Sequence, residues 1–191
     1  MRRTRGRSSL AGSRLSSPVA AKGVEDTALY RYHALLSRNE VGDDPAGEAG
    51  VDAFHRAMRR RQRSWPPGLT ATSTHDSKRG EDVRARLDVL SEIPGEWARR
   101  LDRWAACNNG RKTEVAGVPV PDRAEEVLVY QTLLGAWPLD GDERGFRRRL
   151  DEYLVKALRE ARLHTSWTSP DERYEKAVLA FVRSMLAPSN A

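Results

Sequence analysis

The chain has 191 residues, 39% of them hydrophobic, a mean hydropathy of −0.68 and one cysteine, Cys107. That length suits one domain with its own core, the lone cysteine excludes an intramolecular disulfide and fits a reducing cytoplasm, and no run approaches the roughly 20 apolar residues that cross a bilayer. A net charge of +6 would favour nucleic acid or an anionic membrane, but Arg2, Arg3, Arg5, Arg7, Arg14 and Lys22 supply the whole excess, leaving 27 basic against 27 acidic residues after them. The charge pattern therefore implies no nucleic acid and no membrane as partner, and no stable protein partner is inferred.

Residues 1–17 are rich in Arg and Ser and lack the continuous apolar region of a secretory signal, so a disordered basic tail is expected; a transit peptide shares that composition. Leu29, Tyr32, His33 and Leu36 form a helical stripe after the Asp26-Thr27 start signal, and Val51, Phe54, His55 and Met58 form a second. His33 and His55 are thus read as core-edge residues, and the loop 39–50 between the stripes has no calcium-binding spacing, so no metal is expected. Arg59, Arg60, Arg61 and Arg63 read as a solvated carboxyl-terminal helix end.

Pro66-Pro67-Gly68 redirects the chain, the Thr-rich run 69–74 reads as a strand, and Val83, Leu87 and Leu90 resume a helical period. His75, Asp76, Lys78 and Arg79 then occupy the strand-to-helix corner, the place where barrel and open-sheet enzymes build their sites. On these residues alone, a capping Asp76 beside a His75 in a polar niche is the competing reading.

Trp97, Leu101 and Trp104 make an aromatic stripe after Pro94, read as core with a carbohydrate platform as the alternative. Asp122 and Glu125 form a capping box for a helix running to Gly135. Phe146, Leu150, Leu154 and Leu158 define a longer helix ending near His164, and the segment 169–172 starts another through Tyr174, Val178, Phe181 and Met185. The pattern is a helical subdomain joined to a short α/β piece.

The segment Thr74-His-Asp-Ser-Lys-Arg-Gly-Glu-Asp-Val-Arg-Ala-Arg-Leu87 resembles the Thr-His-Asp-Thr-Lys-Arg-Ser-Glu-Asp-Val-Arg-Ala-Arg-Leu segment of maltooligosyltrehalose synthases, members of the α-amylase superfamily. The resemblance continues, in the same order, through the blocks 18–32, 36–42, 130–138 and 156–175, and covers about residues 15 to 187. It implies a fold that is mostly α with two short strands: a partial (β/α)8 barrel fragment, with residues 18–23 and 69–74 as late strands within a piece spanning 18–93, and a helix-rich insertion over 94–187. Two of roughly eight strands cannot close a barrel. Exposed apolar faces are therefore expected on both strands and on the helices 26–37 and 80–91, with aggregation or dependence on further segments as the consequence.

The chemistry so implied is an isomerase reaction, the intramolecular transglycosylation that converts the reducing-end α-1,4 linkage of a maltooligosaccharide into an α,α-1,1 linkage, without a cofactor. Such retaining chemistry needs a carboxylate nucleophile and a carboxylic acid roughly 5 to 5.5 Å apart. By resemblance Asp76 is neither; it matches the third carboxylate, which stabilises the oxocarbenium-like transition state. His75 matches the adjacent histidine that binds ring hydroxyls, and Lys78 and Lys22 are charged donors at positions consistent with substrate contact. The family's Arg-x-Asp-His nucleophile segment and its acid-bearing Glu segment have no match, so the isolated chain is expected to be inactive. The adjacent pairs Glu25-Asp26 and Glu81-Asp82 point in different directions and are read as local caps or ion pairs. Two other classes are weighed: a stand-alone helical glycan-binding or protein-interaction module, and a nucleic-acid binder using the tail and the run 56–63.

Overall fold

The computed structural model describes residues 19–42, 50–139 and 141–187. The basic tail, Pro18 and most of the 39–50 loop lie outside the described residues.

The described residues open with one wide helical turn, Ala20–Glu25, and two 3-10 turns, Ala28–Tyr30 and Leu36–Arg38. Six α-helices follow: α1 (Val51–Ser64), α2 (Glu81–Glu92), α3 (Pro94–Asn108), α4 (Arg123–Ala136), α5 (Glu143–Ala161) and α6 (Glu172–Met185). Between α3 and α4 lies an antiparallel hairpin of β1 (Thr113–Val115) and β2 (Val118–Val120), in the register Thr113↔Val120 and Val115↔Val118. Its two turn residues, Ala116 at φ 51° and Gly117 at φ 80°, both take the left-handed conformation that matches the twist of a two-residue hairpin.

Local chemistry sets the helix ends. Asp122 and Glu125 make the expected reciprocal capping box on α4; Asp171 accepts from the backbone N–H groups of Arg173 and Tyr174 at the start of α6. Pro94 sits at the first turn of α3, where its missing N–H costs nothing.

Helix α4 is the centre of the body. It buries Leu128, Val129, Tyr130 and Gln131 in succession, so it is covered on several sides. Leu128 joins Tyr30, Leu36, Leu87, Ala157 and Ala161 in one apolar cluster, while Val129 joins Phe146, Leu150, Leu154, Phe181 and Val182 in a second. A third, of Val120, Leu158, Tyr174, Ala177 and Val178, seats the hairpin on α5 and α6. Helix α5 serves all three clusters because its apolar positions recur at helical spacing over a wide arc.

Among the described residues most of the fold is helical and the strands are two, but they are not the expected ones. Residues 69–74 form no ladder with any described segment, and residues 19–23 lie in helical backbone. A strand is defined by its pairing, and here side chains take the place of a partner strand. Arg61 donates to the carbonyls of Gly68 and Leu69, Arg84 to the Thr72 carbonyl and the Ser73 hydroxyl, and Thr72 bonds Glu81. The hairpin at 113–120 went unread because three-residue strands carry no periodicity.

The expected helix over 26–37 is replaced by two short 3-10 turns with their own i to i−3 bonds, while Gln131 of α4 takes the Leu36 N–H and the His33 carbonyl and Asn39 takes the carbonyls of Leu29 and Tyr32. The expected apolar exposure is real at Val19, Val24, Tyr32 and Leu69, which is 98% exposed. The α1 helix buries none of its residues, so its Val51, Phe54 and Met58 face solvent, and His55 is exposed where a core edge was expected. His33 does sit in the core. Cys107 is exposed. Among the described residues no helix is long and apolar enough to cross a membrane.

Gly135 was expected to end its helix but lies inside α4, where α2 comes closest: an added Cβ would stand 2.8 Å from Val83 Cγ1 and 3.2 Å from Leu87 Cγ. Gly135→Ala is therefore expected to destabilise the protein by about 1–3 kcal/mol through overpacking, despite its better helix propensity. A chemical denaturation curve checks this, and a gain in stability would contradict the close α2–α4 approach.

Candidate functional site

The corner expected to carry chemistry is a tight turn. Ser77 N–H donates to the Thr74 carbonyl at 3.1 Å, and Thr74 N–H donates to the Ser77 hydroxyl at 2.8 Å. These bonds put His75 and Asp76 at the tip, with His75 Nε2 3.3 Å from Asp76 Oδ2 and the side chains 92% and 68% exposed. An exposed imidazole beside an exposed carboxylate offers both a donor and an acceptor to a hydroxylated ligand.

Behind the tip the chain turns inward. The Glu40 carboxylate accepts from the backbone N–H of Lys78 at 2.7 Å and of Arg79 at 3.3 Å, and from Val41 N–H at 2.9 Å. A carboxylate on backbone donors makes charge-assisted bonds, so Glu40 clasps the corner to the 36–42 loop. Arg79 extends the clasp by donating to the Leu36 carbonyl at 3.2 Å and to Tyr153 Oη at 2.8 Å. Beneath it lies a cavity of about 260 Å³ lined by Arg79, Val83, Thr132, Phe146, Leu150 and Tyr153.

Lys78 and Lys22 meet at one carboxylate. Lys78 Nζ lies 3.1 Å from Asp26 Oδ1 and 5.4 Å from the centre of the Tyr30 ring, and its side chain is only 13% exposed. Lys22 Nζ lies 2.6 Å from Asp26 Oδ2 with its side chain 75% exposed. Hydrogen bonding to Lys22, the largest influence, holds the Asp26 carboxyl below its usual range against the opposing effect of burial, and the hydrogen bond to Lys78 adds to it. Lys78 thus anchors the corner from within, whereas Lys22 remains open to a ligand. Burial likewise pushes the Tyr30 hydroxyl up to about 12.

Buried polar groups hold the loops in place. Gln131 accepts from Leu36 N–H at 2.8 Å and donates to the His33 carbonyl at 2.7 Å. Asn39 Nδ2 donates to the carbonyls of Leu29 and Tyr32, and the His33 ring lies 2.8 Å from the Ala124 carbonyl and 2.9 Å from that of Tyr30. Burial pulls the His33 pKa down, against the two carbonyls that favour its charged form. Of these residues, sequence reasoning missed Asp26, Glu40 and Gln131 as site supports. All three lie in or beside the blocks that carry the family resemblance, which is the one signal that could have found them.

Asp122, Glu125 and His164 also converge, with ligand-type atoms within 4.8 Å of one another. Helix capping accounts for the arrangement. Asp122 Oδ1 accepts from Glu125 N–H, Glu125 Oε2 accepts from Asp122 N–H and Tyr174 Oη, and His164 Nε2 lies 3.2 Å from Asp122 Oδ2. Burial pushes the Glu125 carboxyl up even though Tyr174 donates to it.

No protein-family profile matches this chain. A Mycobacterium tuberculosis protein (strain CDC 1551 / Oshkosh) named as a maltooligosyl trehalose synthase is 42% identical over 166 residues, which is 86% of this chain and 20% of that protein. The crystal structure of a Sulfolobus tokodaii protein described as a hypothetical maltooligosyl trehalose synthase superposes with a TM-score of 0.77 at 37% identity, covering 90% of this chain and 23% of that one. The maltooligosyltrehalose synthase from Arthrobacter ramosus superposes with a TM-score of 0.76 at 38% identity, over 92% of this chain and 21% of its own. The resemblance first carried by the 74–87 segment is thus borne out in sequence and in shape, and the chain spans about a fifth of the curated relatives it matches.

Because Asp26 has a depressed folded pKa, its stabilisation of the corner is present above its ordinary value of 3.8 and is lost as pH falls through the folded value. Hydrogen-exchange protection around Lys78 should fall through that acid range in the native protein. In Asp26→Asn the protection should be lower at neutral pH and lose that component of its acid dependence; an unchanged acid profile would contradict the assignment.

Proposed function

We propose that this chain is a segment of a maltooligosyl trehalose synthase, in which residues 18–93 belong to the late part of an α-amylase-type barrel and 94–187 to a helical insertion. The whole enzyme would act in the cytoplasm as an isomerase, converting the reducing-end α-1,4 linkage of a maltooligosaccharide to an α,α-1,1 linkage by intramolecular transglycosylation. The observation that carries the reading is the exposed His75–Asp76 tip, seated on a clamped turn within the 74–87 segment that resembles the family.

In this reading Asp76 acts by charge. As the glycosidic bond lengthens, positive charge grows on the sugar ring, and a fixed carboxylate attracts it more strongly than it attracts the neutral ground state. His75 binds hydroxyls of the same ring, and their mutual contact at 3.3 Å orients both groups. Lys22 is the open cationic donor at the site's edge. Lys78 contributes chiefly by fixing the turn, its ammonium being held by Asp26 and Tyr30. The sequence contains no Arg-x-Asp-His segment. Lacking a nucleophile and an acid, the isolated chain would hold a glucan without remaking its linkage.

Calorimetric titration of the folded chain with maltoheptaose tests this. Asp76→Ala and His75→Ala should each weaken binding by about tenfold, the scale of a lost charge-assisted hydrogen bond. No trehalose-ended product should form on prolonged incubation. Binding indifferent to Asp76→Ala would overturn the role of the corner, and turnover by the chain alone would overturn its proposed inactivity.

A further inference from the structure

An open cleft of about 360 Å³ lies between the ends of α3, α4 and α6, lined by Trp104, Asn108, Tyr130, Leu134, Trp137 and Met185, with Leu133 at its floor. Its aromatic walls are held from behind. Trp104 packs edge-on against Tyr130 at 5.3 Å and against Trp97 at 5.8 Å, and Trp137 packs against Phe146 at 5.5 Å. Leu134 and Trp137 are 41% and 38% exposed, so the rim is open.

The polar groups are arranged unequally. Tyr130 Oη donates inward to Glu126 Oε1 and accepts from Asn108 Nδ2, and the other Glu126 oxygen is paired with Lys112, so the charges behind the wall are neutralised. The indole N–H groups of Trp104 and Trp137 have no acceptor among the described residues, and the Asn108 carbonyl oxygen is likewise unspent. Two aromatic rings fixed from behind therefore line the cleft beside the Asn108 amide and the Tyr130 hydroxyl, and among the described residues no ionised side chain lines it.

That complement selects a neutral ligand with flat C–H faces and many hydroxyls. Among the described residues it offers no cation, which a phosphate needs. We propose that the cleft is a second α-glucan subsite, separate from the His75–Asp76 tip, that takes one or two glucose rings of a maltooligosaccharide against Trp104 and Trp137. The choice of an α-glucan over another neutral sugar rests on the proposed synthase function.

Titration of the intact chain with maltotriose, followed by NMR on the indole N–H resonances, tests this. The Trp104 and Trp137 signals should shift with saturation. Trp137→Ala, and Leu134→Arg as a surface change that blocks the cleft and spares the core, should each weaken that process by about tenfold, while Asp76→Ala leaves it unchanged. If maltotriose binds but only Asp76→Ala weakens it, the cleft proposal falls and the corner stands. If folded wild-type protein binds no maltotriose at either place, both fall.

Discussion

The buried amide of Gln131 is the constraint on which the rest of this structure depends. It stands on α4 with no solvent exposure, accepting from Leu36 N–H and donating to the His33 carbonyl, and so it joins the irregular amino-terminal segment to the helical body. That segment has neither a long helix nor a sheet to satisfy its backbone, and unpaired backbone groups are costly when buried, about 1–3 kcal/mol each. Side chains must do the pairing. Asn39, His33, Arg79 and Glu40 extend what Gln131 begins, and the corner at 74–79 is positioned by the outer end of this chain of bonds.

This explains how the corner holds a defined turn although residues 69–74 pair with no strand among the described residues. The corner is fixed from behind, by Glu40 on its backbone and by Asp26 on Lys78, so its tip needs no neighbouring strand to direct it outward. The same economy leaves apolar groups uncovered. Val19, Val24, Tyr32 and Leu69 on this side, and Val51, Phe54 and Met58 on α1, are exposed. The carboxyl-terminal helices differ: α4, α5 and α6 share closed apolar clusters and a paired, hydrogen-bonded Glu175–Arg159–Thr165 group.

What the sequence disclosed follows from the range of the forces involved. The caps at Asp122 and Asp171 and the stripes of α5 and α6 were legible because they are set within one or two helical turns. Leu69 to Thr74 reads as a strand by its threonines, yet a strand needs a partner strand, and among the described residues the run has only side-chain bonds from Arg61 and Arg84. Leu29, Tyr32 and Leu36 keep a helical period that the structure does not use, because Gln131 and Asn39 capture their backbone groups. His75 and Asp76 were singled out by their place before a helix, and their roles came only from resemblance. Glu40 acts across 38 positions of sequence, and no local rule links it to Lys78.

If the corner is held from within this chain, its backbone should be as well protected as the body that holds it. Native-state hydrogen exchange at the amides of Lys78, Arg79 and Leu36 measures this directly. The account predicts slow exchange that tracks the amides in the middle of α4, with the tip residue His75 exchanging far faster. Exchange at Lys78 and Arg79 as fast as at His75 would mean that the clamp does not hold, and that the corner acquires its shape from something other than Glu40 and Gln131.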